Sequence, residues 1–326
     1  MNILYVTISN WGVGDELAQM GTIKLMDKTF PGHNKFFVDK NFEIKKSRDV
    51  FYSDVWTPDI KNDIDFDLVV HAGGNGWFGS AYADWEKVIV EKKWPMIFTG
   101  VGMANKPESD KYMPEILKNS PLFIGRDHVA TNAAKAMGCK NVHEICCPSL
   151  FIDFPHKQKK EKIGLVYQYN GDVPPHSCKD DKLHAAEIEL FKSLSEKYDT
   201  HILCHYIGDY ISACKAFPLY KDRIVYSKII NDYIIKYSEC RLILSMRLHG
   251  AYLGTTVGAP TIAIKKGVGK MCAMKNISVK TIHPEELLNV SANQLIDIAN
   301  TNKVDSIKDL NCYNYMKLLN ELRDSL

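Results

Sequence analysis

Leu242-Ile243-Leu244-Ser245-Met246-Arg247-Leu248-His249-Gly250-Ala251 reads as a buried strand that ends on a cation, an imidazole and a glycine and runs at once into a helix. An apolar run without alternation is how a parallel strand covered on both faces reads. The helix continues through the small residues Gly254, Thr255 and Thr256, as close packing on a sheet requires. Open parallel sheets gather ligands at the C-terminal ends of their strands, so one segment predicts both an architecture and a site. Arg247 and His249 fall in the first helical turn, where the backbone dipole favours an anion. A guanidinium supplies a planar fork for phosphate or carboxylate, and an imidazole transfers protons near neutral pH. A lone histidine is more often a packed core residue; the Arg-x-His spacing at a strand end reverses that preference. Ser245 and Gly250, which bracket the pair, are expected to line the same site.

Outward from this segment the same strand-then-helix rhythm recurs. Towards the N-terminus of the second half it predicts strands at Lys162–Tyr167, His201–His205 and Arg223–Tyr226, with helices over Lys182–Lys197, near Tyr210–Phe217 and near Asn231–Ser238. Strand Thr261–Ile264 follows, and the tail Pro284–Leu326 reads as helices. The first half predicts strands at Asn2–Ile8, Lys35–Val38, Leu68–Ala72, Pro95–Gly100, Leu122–Gly125 and Val142–Ile145. Between them lie helices at Glu16–Lys28, Ala83–Lys92, Lys111–Lys118 and Val129–Met137. Phe154-Pro155 and the basic run after it break the rhythm. The expectation is α/β: two Rossmann-like, doubly wound domains facing across a cleft (GT-B-like), over residues 1–155 and 156–326, the second carrying the helical tail.

Three more strand ends hold unusual residues. Ser9-Asn10-Trp11-Gly12-Val13-Gly14-Asp15-Glu16 opens the first helix, with Asn10, Gly14 and Asp15 as ligand candidates and Asp15 alternatively a helix cap. His71-Ala72-Gly73-Gly74-Asn75-Gly76-Trp77-Phe78-Gly79 has more glycines than a turn needs, which implies an open floor under a ligand at Gly73, Gly74 and Asn75. Trp77, Tyr82 and Trp85 supply either sugar-stacking faces or ordinary packing. Gly100-Val101-Gly102 continues a glycine-lined rim, with Gly102 on the ligand side. In Ile124-Gly125-Arg126-Asp127, Arg126 at the end of a buried strand must be paired or face a ligand; a salt bridge from Arg126 to an Asp across the domains is the structural alternative.

Composition limits the partners. Hydrophobic residues make up 45% and charged residues 25% of 326, and the net charge of +2 argues against nucleic acid. His156-Lys157-Gln158-Lys159-Lys160-Glu161-Lys162 reads first as a solvated linker, second as a peripheral contact with anionic lipid or substrate. No leader pattern follows Met1 and no apolar run is long enough to span a bilayer. The nine cysteines sit mostly in apolar stretches, as reduced thiols, so a cytoplasmic setting is expected. No His/Cys cluster or Asp-x-Asp pair has metal-ligand spacing, so no metal is expected.

The chain resembles the polysaccharide pyruvyl transferase family. The matching segments are Asn10–Glu16, Asp67–Gly76, Gly125-Arg126-Asp127 with Gly138 and Cys147-Pro148, and Ser245–Gly250 with Gly258-Ala259-Pro260 and Lys270. Ser-x-Arg-Leu-His-Gly followed by Gly-x-Pro is the most specific of them. The sequence departs from the family at Ala130, where many members have Ser or Thr, and at Cys147, where some have Asp. The resemblance implies a GT-B-like fold and transfer of an enolpyruvyl unit from phosphoenolpyruvate, as co-substrate, to a saccharide or lipid-linked saccharide. The product it implies is a pyruvate ketal, with phosphate released and no cofactor. It casts Arg247 and His249 as catalytic and phosphoenolpyruvate-binding, Arg126 as a second anion ligand, and Lys270 as part of the substrate site. The competing readings are a GT-B glycosyltransferase with a nucleotide-sugar donor, and a binding module without activity.

Overall fold

The computed structural model describes residues 1–7, 13–39, 64–74, 83–102, 111–154, 161–168, 181–264, 270–283, 286, 290–301 and 304–326. They form two compact units, one of Met1–Trp11, Asp15–Ile152 and Asp309–Leu326, the other of Gly12–Gly14 and Asp153–Lys308. Each unit has its own six-stranded sheet.

In the first unit β1 (Asn2–Thr7), α1 (Val13–Thr29), β2 (Asn34–Asp39), β3 (Leu68–Ala72), α2 (Ala83–Lys92), β4 (Met96–Val101), α3 (Met113–Asn119), β5 (Phe123–Gly125), α4 (His128–Ala136) and β6 (Val142–Glu144) follow in turn. The strands are all parallel, in the order β2-β1-β3-β4-β5-β6. Strands β3 and β4 are buried at every position, as their largely apolar runs predict. Leu4, Val69, Phe98 and Phe123 of the sheet pack with Trp85 and Ile89 of α2 and with Ile116 and Leu117 of α3. The chain leaves β1 towards β2 and leaves β3 towards β4, so the strand order reverses between β1 and β3. The two glycine-rich segments of the sequence follow those two strands.

The second unit contains β7 (Lys162–Tyr167), α5 (Asp181–Ser195), β8 (Thr200–Cys204), α6 (Ile207–Ala216), β9 (Ile224–Val225), α7 (Ile230–Ser238), β10 (Cys240–Ser245), α8 (Leu248–Thr256), β11 (Thr261–Ile264), β12 (Thr281–Ile282) and α9 (Ala292–Asn300). Its order, β12-β11-β10-β7-β8-β9, is the 3-2-1-4-5-6 Rossmann order when the strands are counted within the unit. The reversal lies between β7 and β10, and Arg247 stands just beyond the C-terminal end of β10. Strand ends at such a reversal splay their loops apart and leave a crevice for a ligand.

The expected strand at Arg223–Tyr226 shrinks to two residues, because Pro218–Arg223 forms a 3-10 segment before it. Helix α6 starts at Ile207 rather than near Tyr210. The final helix, α10 (Val304–Arg323), differs more: from Asp309 onward the chain groups with the first unit, whereas the tail was expected to belong wholly to the second half. Tyr315 explains this. It is fully buried, its hydroxyl donates to the Cys146 carbonyl at 2.8 Å, and its ring meets Phe151 edge-on at 5.3 Å. Periodicity shows that a helix is amphipathic, not which core its apolar face joins.

Pro148 sits in the same region. A Cβ on Gly21 would lie 1.9 Å from the Pro148 carbonyl oxygen, and one on Gly100 would lie 2.0 Å from Pro148 Cδ. Gly100 also has φ +64, in the left-handed region that disfavours other residues. Among the described residues no helix is long and apolar enough to cross a membrane. Most of the basic run after Pro155 lies outside the described residues; Lys162, at its end, pairs with Glu239 at 2.8 Å.

Candidate active site

In the first unit the chemistry gathers beyond β3, β4 and β5. Gly73 and Gly74 both have positive φ, and a Cβ on Gly73 would meet Ala18 Cβ at 2.6 Å. The tight turn and the approach of α1 account for Gly73, and the left-handed backbone for Gly74. Gly102 donates its N–H to the Gly74 carbonyl at 2.9 Å, joining the two loops. Its missing side chain has a definite use: a Cβ there would lie 2.4 Å from Nε and Nη2 of Arg126. The rim read from the sequence is therefore occupied. Gly100 receives Pro148 and Gly102 receives the Arg126 guanidinium.

Arg126 is 1% exposed. Its Nε lies 3.7 Å from Asp127 Oδ2, an ion pair between neighbouring residues. Asp127 also caps α4, its Oδ1 accepting the Ala130 N–H at 2.9 Å. A cation this deep needs negative charge around it, and the surroundings are mixed. Burial pushes the Cys147 thiol up, the Arg126 charge pulls it down, and Asp15 raises it. Arg126 and Asp15 thus both act electrostatically on the Cys147 thiol within this unit. Asp15 is the third residue of α1, inside the helix rather than its cap. Asn10 and Asn75, with Trp77 and Tyr82, lie outside the described residues. Trp85 is 4% exposed in the core, which makes it packing rather than a sugar platform.

In the second unit Arg247 occupies the N-cap position of α8, one residue before the helix, and His249 is the second helical residue. The Ser245 hydroxyl shapes the turn by donating to the Arg247 carbonyl at 2.7 Å and accepting the Arg247 N–H at 3.3 Å. A Cβ on Gly250 would lie 2.4 Å from Ser245 Oγ and 2.7 Å from Val166 Cγ1, so glycine lets α8 close onto β7 and β10. Ser245 and Gly250 therefore build the turn that aims Arg247. Lys270 opens the 3-10 segment Lys270–Ile277; its side chain lies outside the described residues. His249 is half-buried, with its ring 6.2 Å from that of Tyr252.

The residues that sequence reading missed are Tyr206 and Asp209. Arg247 donates through Nε–H to Asp209 Oδ2 at 2.9 Å and through Nη2–H to Oδ1 at 2.6 Å. Its Cζ lies 4.4 Å from the centroid of the Tyr206 ring. The side chains of Arg247 and Asp209 are 16% and 2% exposed. The signal was present as His205-Tyr206-Ile207-Gly208-Asp209, a strand end as rich as the four singled out. Placing the helix start at Tyr210 left Asp209 in an unremarked loop.

A model of the polysaccharide pyruvyl transferase family matches residues 13–265. The chain belongs to that family. The match spans Arg126, Arg247 and His249, and takes in Tyr206 and Asp209 as well. No curated protein matches the chain in sequence. Among solved structures, UDP-GlcNAc 2-epimerase from Neisseria meningitidis bound to UDP-GlcNAc has a TM-score of 0.64 at 13% identity, with 100% of each chain covered. A putative UDP-N-acetylglucosamine 2-epimerase from Listeria monocytogenes gives 0.61 at 10%, over 100% of this chain and 97% of its own. These likenesses establish the fold of this pyruvyl transferase family member as the two-Rossmann, GT-B type.

Two buried histidines of this pyruvyl transferase family member carry a pH consequence. Burial lowers His71 to about 4, and burial with the Arg247 charge lowers His205 to about 3. His71 stacks on Phe98 at 5.6 Å, and His205 Nε2 bonds the Tyr237 hydroxyl at 2.7 Å. Both rings are neutral in the folded state at pH 5, whereas in the unfolded chain they titrate near about 6.5. The unfolded state then binds more protons as pH falls through that value, so stability declines, at about 1.4 kcal/mol per pH unit for each ring. The thermal midpoint is expected to be flat around neutrality and to fall from about pH 6.5 towards 4. His71→Gln should make that fall shallower; an unchanged slope contradicts the burial account.

Proposed function

We propose that the chain transfers the pyruvyl group of phosphoenolpyruvate to a sugar residue of a glycan or glycolipid precursor. The observation that carries this reading is Arg247, fixed at the topological reversal of a Rossmann sheet with His249 two residues on, within a chain of this family. The turn at the start of α8 favours an anion through the dipole of the helix. Arg247 adds a fixed charge and His249 a group able to carry a proton. Phosphoenolpyruvate has two anionic groups, and the guanidinium fork of Arg247 suits either of them.

The chemistry balances without a cofactor or metal. A proton delivered to the methylene carbon makes it a methyl group and leaves C2 electron-poor. One acceptor hydroxyl attacks C2, the C2–O bond to phosphate breaks, and a second hydroxyl of the same sugar closes the ketal. Of the two hydroxyl protons released, one replaces the proton given to the methylene carbon and the other leaves with inorganic phosphate. His249 is the proton carrier in this scheme, a role worth about 10²–10⁴-fold. The acceptor is a saccharide, free or lipid-linked, handled at the cytoplasmic face.

Incubation with phosphoenolpyruvate and a panel of glycosides, read by mass spectrometry, tests this. The expected product is a glycoside carrying one pyruvate ketal, with an equal amount of phosphate released. Calorimetry with UDP-GlcNAc serves as the contrast. Binding of the nucleotide sugar without binding of phosphoenolpyruvate would replace this reading with that of a nucleotide-sugar glycosyltransferase.

A further inference from the structure

We infer that Asp209 is a positioning residue for anion recognition: with Tyr206 it locks Arg247 so that only the Nη1–Nη2 end of the guanidinium meets the ligand. The inference rests on the reading of Arg247 as an anion-binding group. It assigns a task to two residues outside the Ser-x-Arg-Leu-His-Gly motif.

A guanidinium has five N–H donors arranged around a plane. Asp209 takes the Nε–H and one hydrogen of Nη2 as a parallel pair, at 2.9 and 2.6 Å. Both Nη1 hydrogens and the second on Nη2 are left among the described residues. They form the end-on fork, which fits two oxygens of a phosphate or carboxylate. One face of the plane lies over Tyr206. Rotation about the long side chain is thereby restrained before any ligand arrives, which lowers the entropic cost of binding.

The clamp is itself held. Asp209 is the third residue of α6, and its Oδ2 also accepts the Tyr206 backbone N–H at 3.3 Å. Carboxylate and aromatic ring therefore come from one helix start after β8, and the arginine from the turn after β10, with β7 between them in the sheet. The pair also cancels most of the charge of Arg247. What it offers an anion is directed hydrogen bonding more than net field, so carboxylate and phosphate are selected by shape.

The test is Asp209→Asn, which keeps the size and an acceptor for Tyr206 N–H but loses the charged pair. The KM for phosphoenolpyruvate is expected to rise on the order of tenfold, the scale of one contact-pair coupling, with kcat changed only a few-fold. Added to Arg247→Lys, the same substitution should cause little further loss, because Asp209 acts only through Arg247. The arginine Nε–H resonance that vanishes in Arg247→Lys should also shift in Asp209→Asn, and hold still when phosphoenolpyruvate is added to the wild type. Thermal unfolding checks that the variant folds. If it does not, Tyr206→Leu removes the stacking face alone and should raise KM a few-fold. Additive losses, an unmoved KM, or a fall in kcat at constant KM overturns the inference.

Inorganic phosphate is titrated in parallel. A wild type that binds phosphate but not phosphoenolpyruvate loses the donor assignment while the clamp is judged on phosphate. A wild type that binds neither overturns both.

Discussion

Replacing Arg247 with alanine is expected to destabilise the second unit on the order of 3–5 kcal/mol, the cost of breaking a buried ion pair by removing one partner. The reason is Asp209, whose side chain is 2% exposed and accepts two charge-assisted bonds from Arg247. Truncation takes away both bonds and the cation, and the carboxylate stays in a place that water reaches poorly. A ligand-facing arginine at a solvated strand end would cost far less, within the ±0.5 kcal/mol or so of ordinary surface substitutions. Denaturant unfolding separates the two cases. The double variant Arg247→Ala/Asp209→Ala should regain part of the loss, since it removes the stranded charge too. A midpoint for Arg247→Ala equal to that of the wild type would mean that the pair is not formed in solution.

His249→Gln is expected to do the opposite: stability kept and chemistry lost. The ring is half-buried and stands at the start of α8, so its loss should leave the melting temperature within a few degrees. Glutamine keeps hydrogen-bonding capacity and cannot titrate. Turnover should fall by roughly 10²-fold or more while phosphoenolpyruvate affinity changes little. A loss of affinity as large as the loss of turnover would make His249 an anion ligand instead, and Asp15 and Glu16 would be the next proton carriers to examine. Full activity in the variant would end the proton-transfer role.

Much of the architecture was legible because parallel sheets write themselves plainly. Leu68–Ala72 and Leu242–Ser245 are apolar at almost every position, and both are strands buried throughout. The candidate residues after β10 stood out for the same reason, since polar residues directly after such a run call for an explanation. What was not legible is pairing across the fold. Asp209 lies 38 residues from Arg247 and meets it only because β7 and β8 order themselves beside β10. The glycines carry a second meaning. Gly100 and Gly102, read as a glycine-lined rim, and Gly250, read as lining the site, each make room for a side chain of this chain: Pro148, Arg126 and Ser245. A missing Cβ signals close approach without saying of what.

The slot that receives Pro148 has a consequence for how the protein is made. Gly21 of α1, Gly100 of β4 and Tyr315 of α10 all close on the Cys146–Pro148 turn. The first unit is therefore built from segments on either side of the second. On the ribosome its sheet is made first, but the helix that completes its packing follows only after the entire second unit. Domains generally fold as units during synthesis; this one lacks α10 until the second unit has been made. A premature stop near residue 308 would spare the second unit and strike the first, the half farther from the lesion along the chain.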